Sequence, residues 1–387
     1  MPISKINLTS GITGVLPSSN ATYSTPRENA LPIIINGDCV ISQRGTAIAD
    51  ESTSGVYRVD RMGVILSSIG EFRMQQESIS SGDAYANGFQ KAFRIDCAVA
   101  DASPAASDQA TMSYRMEGNT VQAFKKGTSN AQKATLAFWV KCSKTGTAQV
   151  NLIDSDNSRM VSGTYTISSA NTWEKKIINF PADTTGVLDN DNGESLTLEW
   201  ALDAGSNYTT GSVQTSWGST NNTNRSVNDF ALQDNTANDW SITGIQLEVG
   251  EFTSTTIPPF QHESFADNLR RCMRYFYKLG GTNNTYKRLS VNFCNPNNRN
   301  QSLGLHHLPV PMRTAQTVTI PSASDFTHGY LGGSNACSSV TINNDGALPH
   351  NDMLSCLSIT GSNAGNDAVI LEMTYGSTNT MEVSAEL

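Results

Sequence analysis

Charged side chains are scarce in this sequence. Only 16% of its 387 residues are Asp, Glu, Lys or Arg, against roughly a quarter in ordinary soluble domains. Ser, Thr, Asn and Gly stand in their place, residues that favour turns and polar strand faces over helix interiors. The charge that is present leans acidic, with 35 carboxylates against 26 Lys and Arg and a formal net charge of −9. No nucleic-acid partner is expected, because phosphate binding needs a concentrated basic surface. The one basic cluster, Arg270, Arg271 and Arg274, falls on a short predicted helix and reads as a solvated face.

Long apolar runs are also missing. No stretch is long enough to span a bilayer as a helix, and no apolar signal segment opens the chain. The expectation is a protein made and kept in a cytoplasm, without membrane insertion. Paired cysteines are missing too. Cys39, Cys97, Cys142, Cys272, Cys294, Cys337 and Cys356 are scattered singly with no Cys-x-x-Cys pair, so thiols in a reducing compartment are expected rather than a disulfide frame or a zinc site. Finally, the motifs of nucleophile elbows, zinc peptidases, Walker loops and dinucleotide sites are all absent from the sequence. That argues against an enzyme. Carboxylate pairs for glycoside cleavage are defined in space rather than in sequence, so a polysaccharide depolymerase stays among the readings.

What is there is strand texture. Residues 1–32 are polar and contain several prolines, with no pattern that could bury a face. Such a segment orders only against another chain, and we read it as an N-terminal attachment arm. From Ile33 onward, short apolar or alternating stretches recur, among them Ile33–Ile35, Val59–Ser68, Phe89–Val99, Ala134–Val140, Ser195–Leu202 and Trp240–Val249. Turn-rich pieces such as Ser81-Gly82-Asp83 separate them. This spacing predicts a mainly β protein, with a jelly-roll β-sandwich over residues 33–257. A connector helix is predicted within 258–281, running from Ser264 to Leu279. Ser264 serves as its N-cap with Asp267 three residues on, and Leu269, Cys272, Met273 and Phe276 share one face before Gly280 and Gly281. Residues 282–387 return to strand texture and form a second, smaller β domain, with a turn at Asn343-Asn344-Asp345-Gly346.

Several segments read together resemble a family of phage tail-fibre and appendage proteins. They begin with IINGDCVISQRGT (Ile34–Thr46) and YRVDRM (Tyr57–Met62), where Met62 replaces a usual Trp. TLAFWVK (Thr135–Lys141), NTWEKKIINFPADTTG (Asn171–Gly186) and DNGESLTLEWALDAGSNY (Asp191–Tyr208) are similar to the family's core. The most specific piece is Ile242–Lys278, in which Phe260-Gln261-His262-Glu263 takes the place of an aromatic-Glu-His-Arg stretch, and Leu308–Ile320 and the closing Ser-Ala-Glu-Leu also fit. The resemblance covers residues from about 33 to the end. It implies a carbohydrate-binding-module-like jelly roll in a virion protein assembled in a bacterial cytoplasm, a homo-oligomer of trimeric type. Its further implied partners are other virion proteins, through the arm, and host cell-surface polysaccharide. It brings no set of ligand residues. A capsid-decoration or fibre-adaptor protein with a purely structural role is the second reading.

Trp139 and Trp240 lie in apolar strands and read as core, whereas Trp173 lies beside a turn. Trp217 sits in a polar, glycine-containing loop near Tyr208, Asn221 and Asn222. Sugars stack on exposed aromatics and take hydrogen bonds from amides, so Trp217, Tyr208, Asn221 and Asn222 form the candidate glycan patch. The same Trp217 also fits a loop that closes one end of the sandwich or packs on a neighbouring subunit. Asp189, Asp191 and Glu194 around Gly193 lack the EF-hand order, since Gly193 falls at position five. They read as a hairpin turn, with a structural calcium the alternative. No cofactor is otherwise expected. His306 and His307 are adjacent on a strand and point to opposite faces, so they do not share a metal, and His262, His328 and His350 read as surface or interface histidines.

Overall fold

The alternating stretches fold as strands, and every pairing among the described residues is antiparallel. The computed structural model describes residues 31–46, 49–227, 230–280, 287–330, 333–344, 352–360, 368–373 and 380–387. Nearly all of the attachment arm, half of the Asn343–Gly346 turn, and His350 lie outside them.

The N-terminal unit opens with β1 (Ala49–Glu51), β2 (Val56–Tyr57), β3 (Gly63–Ser67), β4 (Glu71–Ser78), β5 (Lys91–Val99) and β6 (Gln109–Glu117). It continues with β7 (Ala134–Cys142), β8 (Gly146–Asp154), β9 (Arg159–Ile167), β10 (Glu174–Phe180), β11 (Glu194–Ala204), β12 (Gly218–Ser219) and β13 (Asp239–Val249). These strands form one sheet in the order β1-β4-β5-β13-β7-β10 and a second in the order β12-β9-β8-β11-β6-β3-β2. Alternation decides which side chains enter the space between the sheets. In β7, Leu136, Phe138 and Val140 point in, and Leu198, Trp200 and Leu202 of β11 answer them from the other sheet. Phe138 meets Tyr165 and Trp200 edge to face, at 5.1 and 5.7 Å between ring centroids. Trp240 is fully buried and donates its indole N–H to the Tyr165 hydroxyl at 3.2 Å. The sandwich is therefore the large apolar body that the sequence predicts. Trp139 is buried as well, but on the outer side of its sheet, in a small cluster with Ile79, Phe89 and Trp173 beneath α1 (Asp83–Ala86).

Two local readings are corrected. Ile33–Ile35 is buried but forms a turn, not a strand. Asn36 adopts a left-handed φ of 59° and ties the turn to Ile41 and Asp60 through its amide, at 2.9 Å in each case. The predicted helix is also shorter than expected. After α2 (Ser206–Thr209), the connector forms α3 over Phe265–Met273, with Ser264 accepting from the Asp267 amide as predicted. The chain then extends into β14 (Phe276–Gly280), which pairs with β22 (Thr380–Ser384). The aromatic run Tyr275-Phe276-Tyr277 favours a strand once a partner is available, and that partner comes from the distant end of the sequence.

The C-terminal unit adds β15 (Lys287–Asn295), β16 (Asn298–His307), β17 (Thr317–Thr319), β18 (Phe326–Tyr330), β19 (Gly333–Asn344), β20 (Met353–Thr360) and β21 (Ala368–Met373). Six of them close a barrel in the order β15-β16-β20-β19-β18-β21, and β14-β22-β17 form a small sheet beside it. The barrel interior joins an apolar cluster including Phe326, Leu354 and Leu371 to a buried polar one. In the latter, His328 Nε2 lies 2.6 Å from Ser358 Oγ and 3.1 Å from Ser302 Oγ, and Asn292 bonds to both serines. His328, expected at the surface, is fully buried, because closure of the barrel satisfies its ring nitrogen internally.

The two units are bonded together. Arg274 reaches both oxygens of the fully buried Glu117 at 2.9 and 2.7 Å, and the Tyr275 hydroxyl donates to the same carboxylate. Arg271 pairs with Glu263 at 2.6 Å. The basic cluster expected on a solvated face is thus largely spent on internal contacts, and only Arg270 of the three is exposed.

Candidate functional site

The outer face of the six-stranded sheet carries a charged network. Period-2 alternation and the cross-strand register place Gln75, Arg94, Ser241 and Lys141 in one row across β4, β5, β13 and β7. Glu77 on the same face accepts from Lys141 at 2.8 Å and from the Ser241 hydroxyl at 2.9 Å. Arg94 bonds to Asp96 at 2.6 Å and to Asp239 at 3.3 Å. Desolvation outweighs the pull of Arg94 and raises the Asp239 carboxyl above its usual range, and its Oδ1 atom is buried without a hydrogen-bond partner.

At one end of this network lies a cleft of about 340 Å³. Its floor and walls come from Glu77, Ser78–Asp83 and Lys141 on one side and from Asn171, Thr172 and Trp173 on the other. Local chemistry shapes both walls. Gly82 supplies a φ of +87° just before α1, and Asn171 takes a left-handed φ of 57° while its amide bonds to the Cys142 carbonyl. Trp173 packs into the apolar cluster behind the cleft, with the Lys141 ammonium 5.3 Å from its ring centroid. The cleft offers carboxylate and carbonyl acceptors, amide and ammonium donors, and an aromatic wall. That set suits a polyhydroxylated ligand. Sequence reasoning passed over these residues because Glu77 and Lys141 are 64 positions apart. The only local signal was the tryptophan beside a turn.

The residues singled out from sequence lie on the opposite sheet. The loop from Gly205 to Val227 crosses its outer face and takes up that face's polar groups. Gln149 donates to the Asn224 carbonyl at 2.6 Å, Asn151 donates to the Arg225 carbonyl at 2.8 Å, and Arg225 pairs with Glu199. Tyr208 and Asn222 meet around Arg225, whose guanidinium carbon lies 5.8 Å from the Tyr208 centroid and whose Nη1 donates to Asn222 at 3.4 Å. Asn221 caps the short turn after it, accepting from the Thr223 amide at 3.2 Å. Trp217 lies apart from them. Its indole N–H donates to the Pro181 carbonyl at 2.7 Å, and its ring covers the Lys126 ammonium at 4.5 Å.

Beneath Trp217, Lys126 is buried between Asp154 and Asp183, and Arg159 grips Asp183 with two bonds of 2.7 and 3.0 Å. Burial alone would raise the Asp183 carboxyl, but bonds from Arg159 and Lys126 outweigh it and hold the group well below the carboxylate range. The acidic turn is not the hairpin expected, since it links β10 of one sheet to β11 of the other, and its groups are bonded internally. Asp191 accepts from the Gly193 amide at 2.7 Å, and Glu194 accepts from Ser155 and Thr197. Among the described residues, no group of three or more His, Cys, Asp or Glu is placed to hold a metal ion. His306 is buried and His307 is exposed, in line with their expected opposite faces.

No family model matches the sequence, and no curated protein matches it. Among solved structures, the enzymatically active domain of tailspike protein 4 from bacteriophage CBA120 aligns at 12% identity and a TM-score of 0.28, over 56% of this chain. This chain spans only 21% of that one. The family 11 carbohydrate-binding module of a Clostridium thermocellum cellulosomal cellulase aligns at 11% identity and a TM-score of 0.26, over 54% of this chain and 99% of that one. TmCBM61, solved with β-1,4-galactotriose, aligns at 8% identity and a TM-score of 0.25, over 57% and 99%. At such TM-scores the likeness carries no argument, and the fold described above rests on the structure itself.

Proposed function

We propose that this chain is a bacteriophage virion subunit of the tail-fibre or appendage kind, which contacts host-envelope polysaccharide and catalyses no reaction. The observation that carries glycan contact is the polar cleft beside Trp173, with Glu77, Asp83, Lys141 and Asn171 around it. The virion setting rests on the segment resemblance between Ile34 and Leu387. A sugar site of this size binds weakly, and repetition of the chain in a particle raises its avidity by roughly 10² to 10⁴.

The test pairs two variants of the full chain in a binding assay against host-envelope polysaccharide. Asp83→Ala combined with Asn171→Gly removes exposed polar groups while keeping the left-handed position tolerable. It should weaken binding by about tenfold, the equivalent of one or two lost hydrogen bonds, with unchanged circular dichroism. Trp217→Ala examines the 205–227 loop. Loss of binding there alone would move the contact to Trp217, Tyr208, Asn221 and Asn222. Wild-type protein that binds no polysaccharide would leave the structural reading, a capsid-decoration or fibre-adaptor protein. The internal bonding of Trp217 and Asn221 favours that alternative. Release of reducing ends during the assay would instead identify a depolymerase, and labelling of the particle would separate tail from capsid.

A further inference from the structure

The barrel is partly inside out. In β15 and β16, Ser290, Asn292, Ser302 and His306 point inward, whereas the alternating positions Val291, Phe293, Leu303 and Leu305 point outward. With Leu357 of β20, these outward side chains are 60, 71, 54, 46 and 43% exposed, and they make up half of the ten strongly exposed large apolar residues among those described. The register makes them one surface. Phe293 lies opposite Leu303, Leu303 lies opposite Leu357, and Val291 lies opposite Ile370. An open groove of about 910 Å³ runs between Val291, Phe293, Leu303, Leu305 and Ile370. The five side chains expose roughly 500 Å² of apolar surface, at the upper end of what monomers leave uncovered and well over half of the roughly 800 Å² per partner in a standard interface.

Three features decide what covers this face. The barrel is closed, so it has no free edge, and association must be face to face rather than by strand addition. The patch is one-sided: Ser339 and Thr341 of the neighbouring β19 sit opposite Ile359 and Leu357 on the same outer surface and are polar. A bilayer-spanning barrel would need an apolar girdle. The centre of the patch also carries no ionised side chain, and Arg288 and His307 lie at its rim. On a chain of net charge −9, this is a face that two identical copies can press together without opposing like charges. We propose that a second copy of this chain docks here, each copy seating apolar side chains in the other's groove.

The full chain should sediment as an oligomer, with the copy number read from its mass. Phe293→Glu combined with Leu303→Glu should weaken self-association by about 100-fold, the scale of burying unpaired charge, without loss of β-sheet signal. Val187→Glu, an exposed apolar position on the sandwich, should leave the mass unchanged. If the glutamate pair does not fold, Phe293→Ser poses the same question with a smaller change. A wild-type chain that stays monomeric at its highest soluble concentration overturns the proposal, as does a Phe293 variant of unchanged mass. So does flotation of the wild type with phosphatidylcholine vesicles that the variant loses, since the occupant would then be lipid. None of these outcomes bears on the glycan cleft, which lies in the other unit.

Discussion

Six of the seven cysteines are buried, and burial governs their chemistry. It pushes the Cys97 and Cys356 thiols up to about 11 and those of Cys142 and Cys337 up to about 12. Cys39 and Cys272 are raised further by the same desolvation. The reactive thiolate is therefore suppressed at six positions, and only Cys294 is partly exposed. A thiol reagent at mildly alkaline pH should label one site promptly in the native chain and seven after denaturation. Fast native labelling of several sites would count against the burial described. The absence of cysteine pairing was legible in the sequence from odd number and single spacing. Which thiol stays accessible was not, because six of the seven sit in a strand or helix whose covered face is chosen by distant partners, and Cys39 is covered by the sandwich core.

Among the elements, the barrel strands respond to pH through His306. Desolvation lowers its pKa below the ordinary 6.5, although its Nδ1 donates to the Leu289 carbonyl at 2.7 Å, and its Nε2 is buried without a partner. The unfolded chain takes up a proton below about 6.5 that the folded barrel resists. Barrel stability is thus full above that value and declines as pH falls through it. Denaturant midpoints measured at mildly acidic and neutral pH should show this decline, and His306→Gln, which can still donate to Leu289, should flatten it. An unchanged slope in the variant would assign the acid sensitivity to carboxylates. The connector gives the matching lesson about legibility. Its N-cap was readable because Ser264 and Asp267 are three residues apart, a local relation. Its early end was not, because β14 exists only through β22, more than 90 positions later.

The units are joined at several places, among them the meeting of Glu117, Arg274 and Tyr275 and the buried Arg61–Glu386 pair at 2.5 Å. Removing one partner of a buried ion pair strands the others and costs about 3 kcal/mol or more. Glu117→Ala should therefore lower the midpoint of the calorimetric transition, by loosening one of the contacts between sandwich and C-terminal unit. One transition at an unchanged temperature would show that the units are joined elsewhere, for example where Arg313 donates to the Asn192 carbonyl at 2.6 Å. The contact was invisible in the sequence. Arg274 looked like one of three solvated cations, and only docking against β6 turned it into a bonded one.

The sequence by itself determined the mainly β character, the order of sandwich, helix and smaller β unit, and the burial of Trp139 and Trp240. Each of these follows from local alternation, turn chemistry and the drive to remove large aromatic surface from water. Tertiary structure alone decided that the loop bearing Trp217 is bonded down onto one sheet while Glu77, Lys141 and Trp173 converge beside the other. It also decided that the barrel turns an apolar row outward. Both depend on which strands become neighbours, and cross-strand register is a non-local choice that period-2 patterning constrains but does not specify.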